Sequence, residues 1–277
     1  MTRWLGRTRA LAALTLCFVA PFLRAQSPPQ LTPQEMERFL KTAKIVKTKP
    51  ASKGITGTLR ATLSDGTLTH DASVQSVDET KMQFKPDNGP IEMNFRDSYK
   101  FNIAAYRLSV LLGMDMIPMS VDRDVNGKQS AVTWWVDDVL MDGVQQLQQK
   151  AHAPDSDAWN DQMFVYRVFD QLVFNTDSNL TNLLIDRNWK IWKIDHTRAF
   201  RIQRTLRTKK NLVKCDRTVL AKMKELNEET LSKELMPWCT KEEIKALLAR
   251  RDLIVQFFEE EVRQKGEAAV LYTLAKH

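Results

Sequence analysis

The stretch from Phe169 to Phe200 limits what this chain can fold into more than any other. Leu183-Leu184-Ile185-Asp186 and Trp189-Lys190-Ile191-Trp192-Lys193-Ile194 are apolar runs separated only by Arg187-Asn188, too short a connection for anything but a turn, so the two must pair as a hairpin. Three polar residues bracket it, Asp177 and Asn182 before it and Asp195 directly after. Centring the turn on Arg187-Asn188 pairs 186 with 189 and 182 with 193, which makes Asp195 the diagonal neighbour of Asn182 on one face. Their side chains can converge there. An Asn and an Asp that converge offer oxygen donors only, the set that suits Mg²⁺.

Asp-x-x-x-x-Asn alone is also what a capping Asp beside a turn Asn produces. Here a helical pattern precedes it, and the hairpin and a closing Ile194-Asp195 follow. In phosphoryl transfer of the protein-kinase type, an Asp accepts the substrate hydroxyl proton, an Asn five residues later holds metal, and an Asp after a short hairpin holds the Mg²⁺ that bridges phosphates. Asp177, Asn182 and Asp195 fit those roles in order and spacing. At these residues the sequence resembles the atypical kinase-like folds, in particular the phosphatidylinositol-3/4-kinase-like group and related bacterial and secretory-pathway kinases. The resemblance extends to Ala104-Ala105-Tyr106-Arg107-Leu108 through Leu112-Gly113, then Ile117-Pro118, then Thr133-Trp134-Trp135-Val136-Asp137, which resemble the N-lobe helix, the strand after it and the hinge.

This resemblance implies an α+β, bilobal protein with a β-rich N-lobe carrying one helix, over 26–136, and a mostly helical C-lobe over 137–277. It implies ATP with Mg²⁺ or Mn²⁺ as cofactors, Asp177 as the catalytic base and Asn182 and Asp195 as metal ligands. Trp135 and Val136 would lie against the nucleotide, with Trp134 either sharing that role or packing outward. Lys53-Gly54-Ile55-Thr56-Gly57-Thr58 lies where a nucleotide-covering loop would be, and Gly54 and Gly57 would let backbone N–H groups approach phosphate.

Three departures bear on activity. Ser178 and Asn179 replace the Arg-His pair expected after Asp177, Gln75 stands where the phosphate-gripping Lys is expected, and Asn102 stands where its Glu partner is expected. A Gln supplies no positive charge and an Asn forms no ion pair with a Lys. Either a Gln75–Asn102 hydrogen bond has replaced the ion pair, or Lys81, Lys85 or Lys100 reaches the nucleotide instead. The sequence thus predicts an ATP-dependent phosphotransferase acting on a hydroxyl, and as the alternative a catalytically inactive nucleotide-binding pseudokinase or interaction module. His196 is a candidate base or a backbone-fixing residue.

The rest of the chain sets the context. With 277 residues, 43% hydrophobic and 27% charged, it can bury a substantial core. Its net charge of +7 owes four units to Arg3, Arg7, Arg9 and Arg24. Met1–Ala25 has a basic start, an apolar run from Ala10 to Leu23 and a small residue at Ala25, the layout of a signal peptide, and predicts export to a periplasm or the exterior. Pro21 and Arg24 interrupt that run short of a membrane span. Loss of the leader would leave Cys215 and Cys239, an even pair that predicts a disulfide. Pro33–Leu40 after Thr32 predicts a capped helix, Asp65-Gly66 a hairpin among three antiparallel strands over 43–84, and Ile103, Tyr106, Val110 and Leu111 one amphipathic helix. Strands are expected around Asn126-Gly127, and helices over about 157–175, 217–226, 229–236 and 241–265. The basic run Arg201–Lys210 reads as a solvated loop or as a contact for an acidic substrate; no aromatic residues interleave it, so nucleic acid is not expected.

Overall fold

The computed structural model describes residues 1–2, 31–51, 57–85 and 91–275. All but the first two residues of the expected leader, and Gly54, lie outside the described residues. Thr32 opens α1 (Pro33–Thr42) with a reciprocal cap, its hydroxyl accepting from the Glu35 N–H while Glu35 accepts from the Thr32 N–H. Then come β1 (Lys44–Pro50), β2 (Leu59–Ser64) and β3 (Thr69–Gln75), an antiparallel meander. The β2–β3 turn forms as Asp65-Gly66 predicts: the Asp65 carboxylate accepts from the Thr67 and Leu68 N–H groups and Gly66 takes φ 92°.

β4 (Asp78–Phe84) and β5 (Glu92–Ser98) form a separate hairpin, followed by α2 (Lys100–Leu111), β6 (Ser120–Val125) and β7 (Lys128–Trp134). The main sheet runs β1-β2-β3-β7-β6. Alternation along its strands buries Leu63, Val74, Val121 and Val132 against Phe39 and Leu40 of α1. α2 differs from the one-sided helix expected. It packs against β6 and β7 and also against the helical part, so Phe101, Ile103, Ala104, Ala105 and Leu108 are all buried, whereas Val110 is 55% exposed.

β8 (Val139–Asp142) leads into α3 (Gly143–Gln149) and α4 (Ser156–Val173), and β8 pairs with the hairpin β9 (Leu183–Asp186) and β10 (Ile191–Lys193) as a three-stranded sheet. The chain ends with β11 (Cys215–Asp216), α5 (Arg217–Glu225), α6 (Glu228–Leu235), α7 (Lys241–Lys265), α8 (Glu267–Val270) and β12 (Leu271–Tyr272). The second core lies here, with Val168, Phe169, Leu172, Leu247, Ile254 and Phe258 at its centre. Among the described residues, no helix is long and apolar enough to cross a membrane.

The expected disulfide is absent. Cys215 starts β11 and Cys239 precedes the Thr240 cap of α7, and both are free thiols buried in the same apolar core. Packing holds them, and burial pushes both thiols up, away from the reactive thiolate.

Candidate active site

A cavity of about 260 Å³ opens between the main sheet and the β8–β10 sheet. Gln75, Trp135, Val136, Asn182 and Asp195, five of the residues singled out from sequence, line it together.

The hairpin reaches it in a register one residue away from the expected one. Ile185 faces Ile191 and Leu183 faces Lys193, so the loop has three residues, Arg187-Asn188-Trp189, with Trp189 in the left-handed region at φ 60°. Asp186 holds this loop, its carboxylate accepting from the Asn188 and Lys190 N–H groups and from the Trp192 indole. Gln162 of α4 fixes it from below, donating to the Trp189 carbonyl at 3.1 Å and accepting from the Ile191 N–H at 2.8 Å. Asn182 therefore sits opposite Ile194, whose N–H donates to the Asn182 carbonyl at 3.0 Å. A regular strand would turn Asp195 to the other face. It reaches the cavity because the strand breaks at Asp195 itself, at φ 57°.

The Asn182 amide nitrogen donates to the Asp177 carbonyl at 3.3 Å, which leaves the amide oxygen as the donor atom it can offer. At Asp195 two side-chain hydrogen bonds fall on Oδ1, from the Thr197 hydroxyl at 3.1 Å and from Gln75 at 3.4 Å. Burial raises the Asp195 carboxyl above its ordinary range, those two hydrogen bonds pull it back, and the charge of Asp177 adds to the rise. Asp97 at the end of β5 is a neighbouring buried carboxyl, 8% exposed, with Oδ1 unpartnered. Burial pushes it up first, and Asp195 contributes to the rise.

Across the cavity, Gln75 and Asn102 meet as the first of the two sequence alternatives requires. The Asn102 amide donates to Gln75 Oε1 at 2.5 Å, Gln75 Nε2 donates to the Thr58 hydroxyl at 3.1 Å, and Asn102 Oδ1 accepts from the His196 N–H at 2.7 Å. Lys81 pairs instead with Glu79 and Lys100 with Asp78, and among the described residues no Lys or Arg lines the cavity. Gly57, at φ 70°, ends the β1–β2 connection, which the Ala51 N–H closes onto the Thr58 carbonyl at 2.9 Å. Trp134 and Trp135 both line the cavity; Trp134 stacks on His70 at 3.7 Å, and the Arg60 guanidinium lies 4.3 Å from the Trp135 ring centre.

Asp177 does not line the cavity. Its side chain is 41% exposed beside it, 4.0 Å from Arg198, whose guanidinium also pairs with Glu92 of β5. His196 is buried against Phe169 with Nε2 unpartnered, and burial, with help from Lys193, pushes its ring down to about 3. Its backbone N–H, and not its ring, makes the bond to Asn102. Arg201 in the basic run is likewise not solvated: it is 4% exposed and lies 3.5 Å from Glu92, while Arg250, fully buried, donates to the Arg201 and Gln203 carbonyls.

Several supporting residues escaped the sequence reading. Gln162 carried a signal, a polar residue among Trp159, Met163, Val165 and Tyr166 on a helix. Asp142 and Gln145 form a capping box in the recognisable D-x-x-Q spacing. Gly143 had none: a Cβ there would meet the Leu180 carbonyl at 2.9 Å, so only glycine lets α3 approach the loop before Asn182.

The crystal structure of the Golgi casein kinase superposes on this chain with a TM-score of 0.58, covering 85% of this chain and 77% of that one at 12% identity. The fold is kinase-like. A Helicobacter pylori proinflammatory kinase gives a TM-score of 0.48 at 11% identity, over 78% of this chain and 92% of that one. No family model and no curated protein matches the sequence.

Proposed function

We propose that this chain is an exported, ATP- and divalent-metal-dependent phosphotransferase whose acceptor is a hydroxyl group. The observation that carries the reading is the delivery of Asn182 and Asp195 to one cavity, each with an oxygen uncommitted to the hydrogen bonds described above. That donor set fits Mg²⁺ or Mn²⁺, which would neutralise phosphate charge there when bound. Trp135 and Val136 offer the apolar wall for a nucleobase. Asp177, beside the cavity and linked to it through the bond from Asn182 to its backbone carbonyl, would take the proton of an incoming hydroxyl. Export rests on the layout of Met1–Ala25.

One observation favours a second reading, a nucleotide-binding module without transfer: the Gln75–Asn102 pair is neutral where a charged grip on phosphate is expected. Titrating ATP into the mature protein by calorimetry, with and without Mg²⁺, and following labelled ATP for transfer or hydrolysis separates them. Mg²⁺-dependent binding with Asp177-dependent label release supports the enzyme. Binding with no release supports the module, and no binding removes both.

A further inference from the structure

Lys193 is 2% exposed and makes no direct ion pair among the described residues. Its ammonium meets two hydroxyls, Tyr166 at 3.3 Å and Ser178 at 3.5 Å, and lies 4.9 Å from the Tyr166 ring centre. Ser178 in turn donates to the Asp170 carboxylate and is bonded to the Tyr166 hydroxyl. The donor order follows from chemistry. An ammonium can only donate and a carboxylate can only accept, so the hydrogens run from Lys193 to Tyr166, from Tyr166 to Ser178 and from Ser178 to Asp170.

We infer that Lys193 and Asp170 form an ion pair relayed through the Tyr166 and Ser178 hydroxyls, and that this relay positions Asp177. The inference rests on the phosphotransferase reading for the role of Asp177, but the relay itself does not. Asp177 lies between two residues that Asp170 anchors. On one side Asn175 donates its amide to Asp170 Oδ1 at 3.3 Å and its N–H to the Asp170 carbonyl at 3.1 Å, and its own Oδ1 receives the Asp177 N–H at 3.0 Å. On the other side stands Ser178. The anchor is 7% exposed and sits in α4, a rigid element. A buried, unpaired ammonium is costly where an apolar side chain would pack as well, and the relay supplies its counter-charge. Opposing it, the Arg198 guanidinium, which also pairs with Glu92, lies 4.0 Å from the Asp177 carboxylate and offers it another partner. The relay keeps the loop against α4 so that Asp177 does not follow Arg198. Lys193 and Ser178 are positioning residues, acting through the loop.

The test uses Lys193→Met, the charge-neutral double variant Lys193→Met with Asp170→Asn, and Ser178→Ala, which cuts the relay while keeping both charges. Hydrogen exchange at the Asp177 and Asn179 amides is read beside ATP turnover and Mg²⁺–ATP affinity. In the double variant and in Ser178→Ala the loop amides are expected to exchange faster, with kcat falling ~100-fold while KM and affinity stay within ~2-fold. Lys193→Met alone leaves Asp170 uncompensated, so the double variant decides if it does not fold. Wild-type loop exchange in the double variant overturns the relay, and wild-type kcat with loosened amides overturns its positioning role. A shift in affinity with kcat unchanged does the same. If the wild type neither binds nor turns over ATP, the phosphotransferase reading falls and the exchange arm alone decides the relay.

Discussion

The two sides of the cavity carry different chemistry. On the hairpin side stand Asn182 and Asp195, with Asp177 behind them, two carboxylates and an amide oxygen within one short stretch of chain. On the sheet side stand Thr58, Gln75 and Asn102, all neutral and bonded to one another. The difference teaches that the sheet-side substitutions form one change. A Gln facing a buried Glu would leave a carboxylate without a counter-charge, a state that costs several kcal/mol. With Asn102 opposite, both atoms of the Gln75 amide are satisfied and its nitrogen also reaches Asp195. Under the proposed phosphotransferase reading, phosphate charge would then be met from the hairpin side.

The largest effect is therefore expected at Asp195. Asp195→Ala is expected to abolish Mg²⁺-dependent ATP binding in calorimetry while leaving the circular dichroism spectrum unchanged. Equal binding with and without Mg²⁺ in the wild type, or metal dependence retained in the variant, breaks the contrast between the two sides. Next comes Asp177→Asn, which keeps the shape and removes the proposed base. Transfer or hydrolysis of labelled ATP is expected to fall by ~10²–10⁴-fold with binding intact, because a positioned general base contributes about that much.

Restoring charge on the sheet side sharpens the comparison. Gln75→Lys with Asn102→Glu recreates an ion pair, and ATP is expected to bind roughly tenfold tighter, about 1.4 kcal/mol. Gln75→Lys alone places an ammonium beside Asp195 with no Glu to hold it, so it is expected to compete with metal and weaken Mg²⁺–ATP binding. Equal gains from the single and double variants would show that the two positions are not coupled.

How much of this was legible depends on distance along the chain. The α1 cap, the Asp65-Gly66 hairpin and helices α4 to α7 follow from local pattern and lie where periodicity and capping put them. The Gln75–Asn102 bond was one of two alternatives the resemblance left open, the other being a Lys from elsewhere in the N-lobe. The hairpin register was not: the three-residue loop depends on Gln162, more than twenty residues upstream, and on Trp189 accepting a left-handed backbone. Asp195 reaches the cavity by a backbone break that no period-2 argument contains. The Lys193 relay and the burial of Arg250 exist only once α4 and α7 have packed, which is why a strand residue and a charge on a helix carried no signal. The cysteine count failed for a related reason, since an even number says nothing about which elements bring the two together.

The smallest expected effect tests the joint between the two sides, where the His196 N–H bonds Asn102 while its ring packs against Phe169. Above pH about 6.5 the ring is neutral in both the folded and unfolded chain and contributes no pH dependence. Between about 6.5 and about 3 the unfolded chain takes up a proton that the buried ring refuses, so stability falls by about 1.4 kcal/mol per unit as pH drops through that window. Below about 3 the loss levels off. Asp97 and Asp195, both pushed up by burial, slope the other way, since the folded chain holds their protons longer as pH rises from the ordinary carboxylate range. The net acid limb is thus a contest that His196 steepens. His196→Phe keeps a ring against Phe169 and keeps the backbone N–H for Asn102. Urea unfolding from pH 7 to pH 4 is expected to show a shallower loss of stability in the variant than in the wild type, with Mg²⁺–ATP affinity at pH 7 unchanged. An acid limb as steep as the wild type's would assign the slope to other groups. A loss of affinity at pH 7 would mean that the ring takes part in the site and does not merely join its two sides.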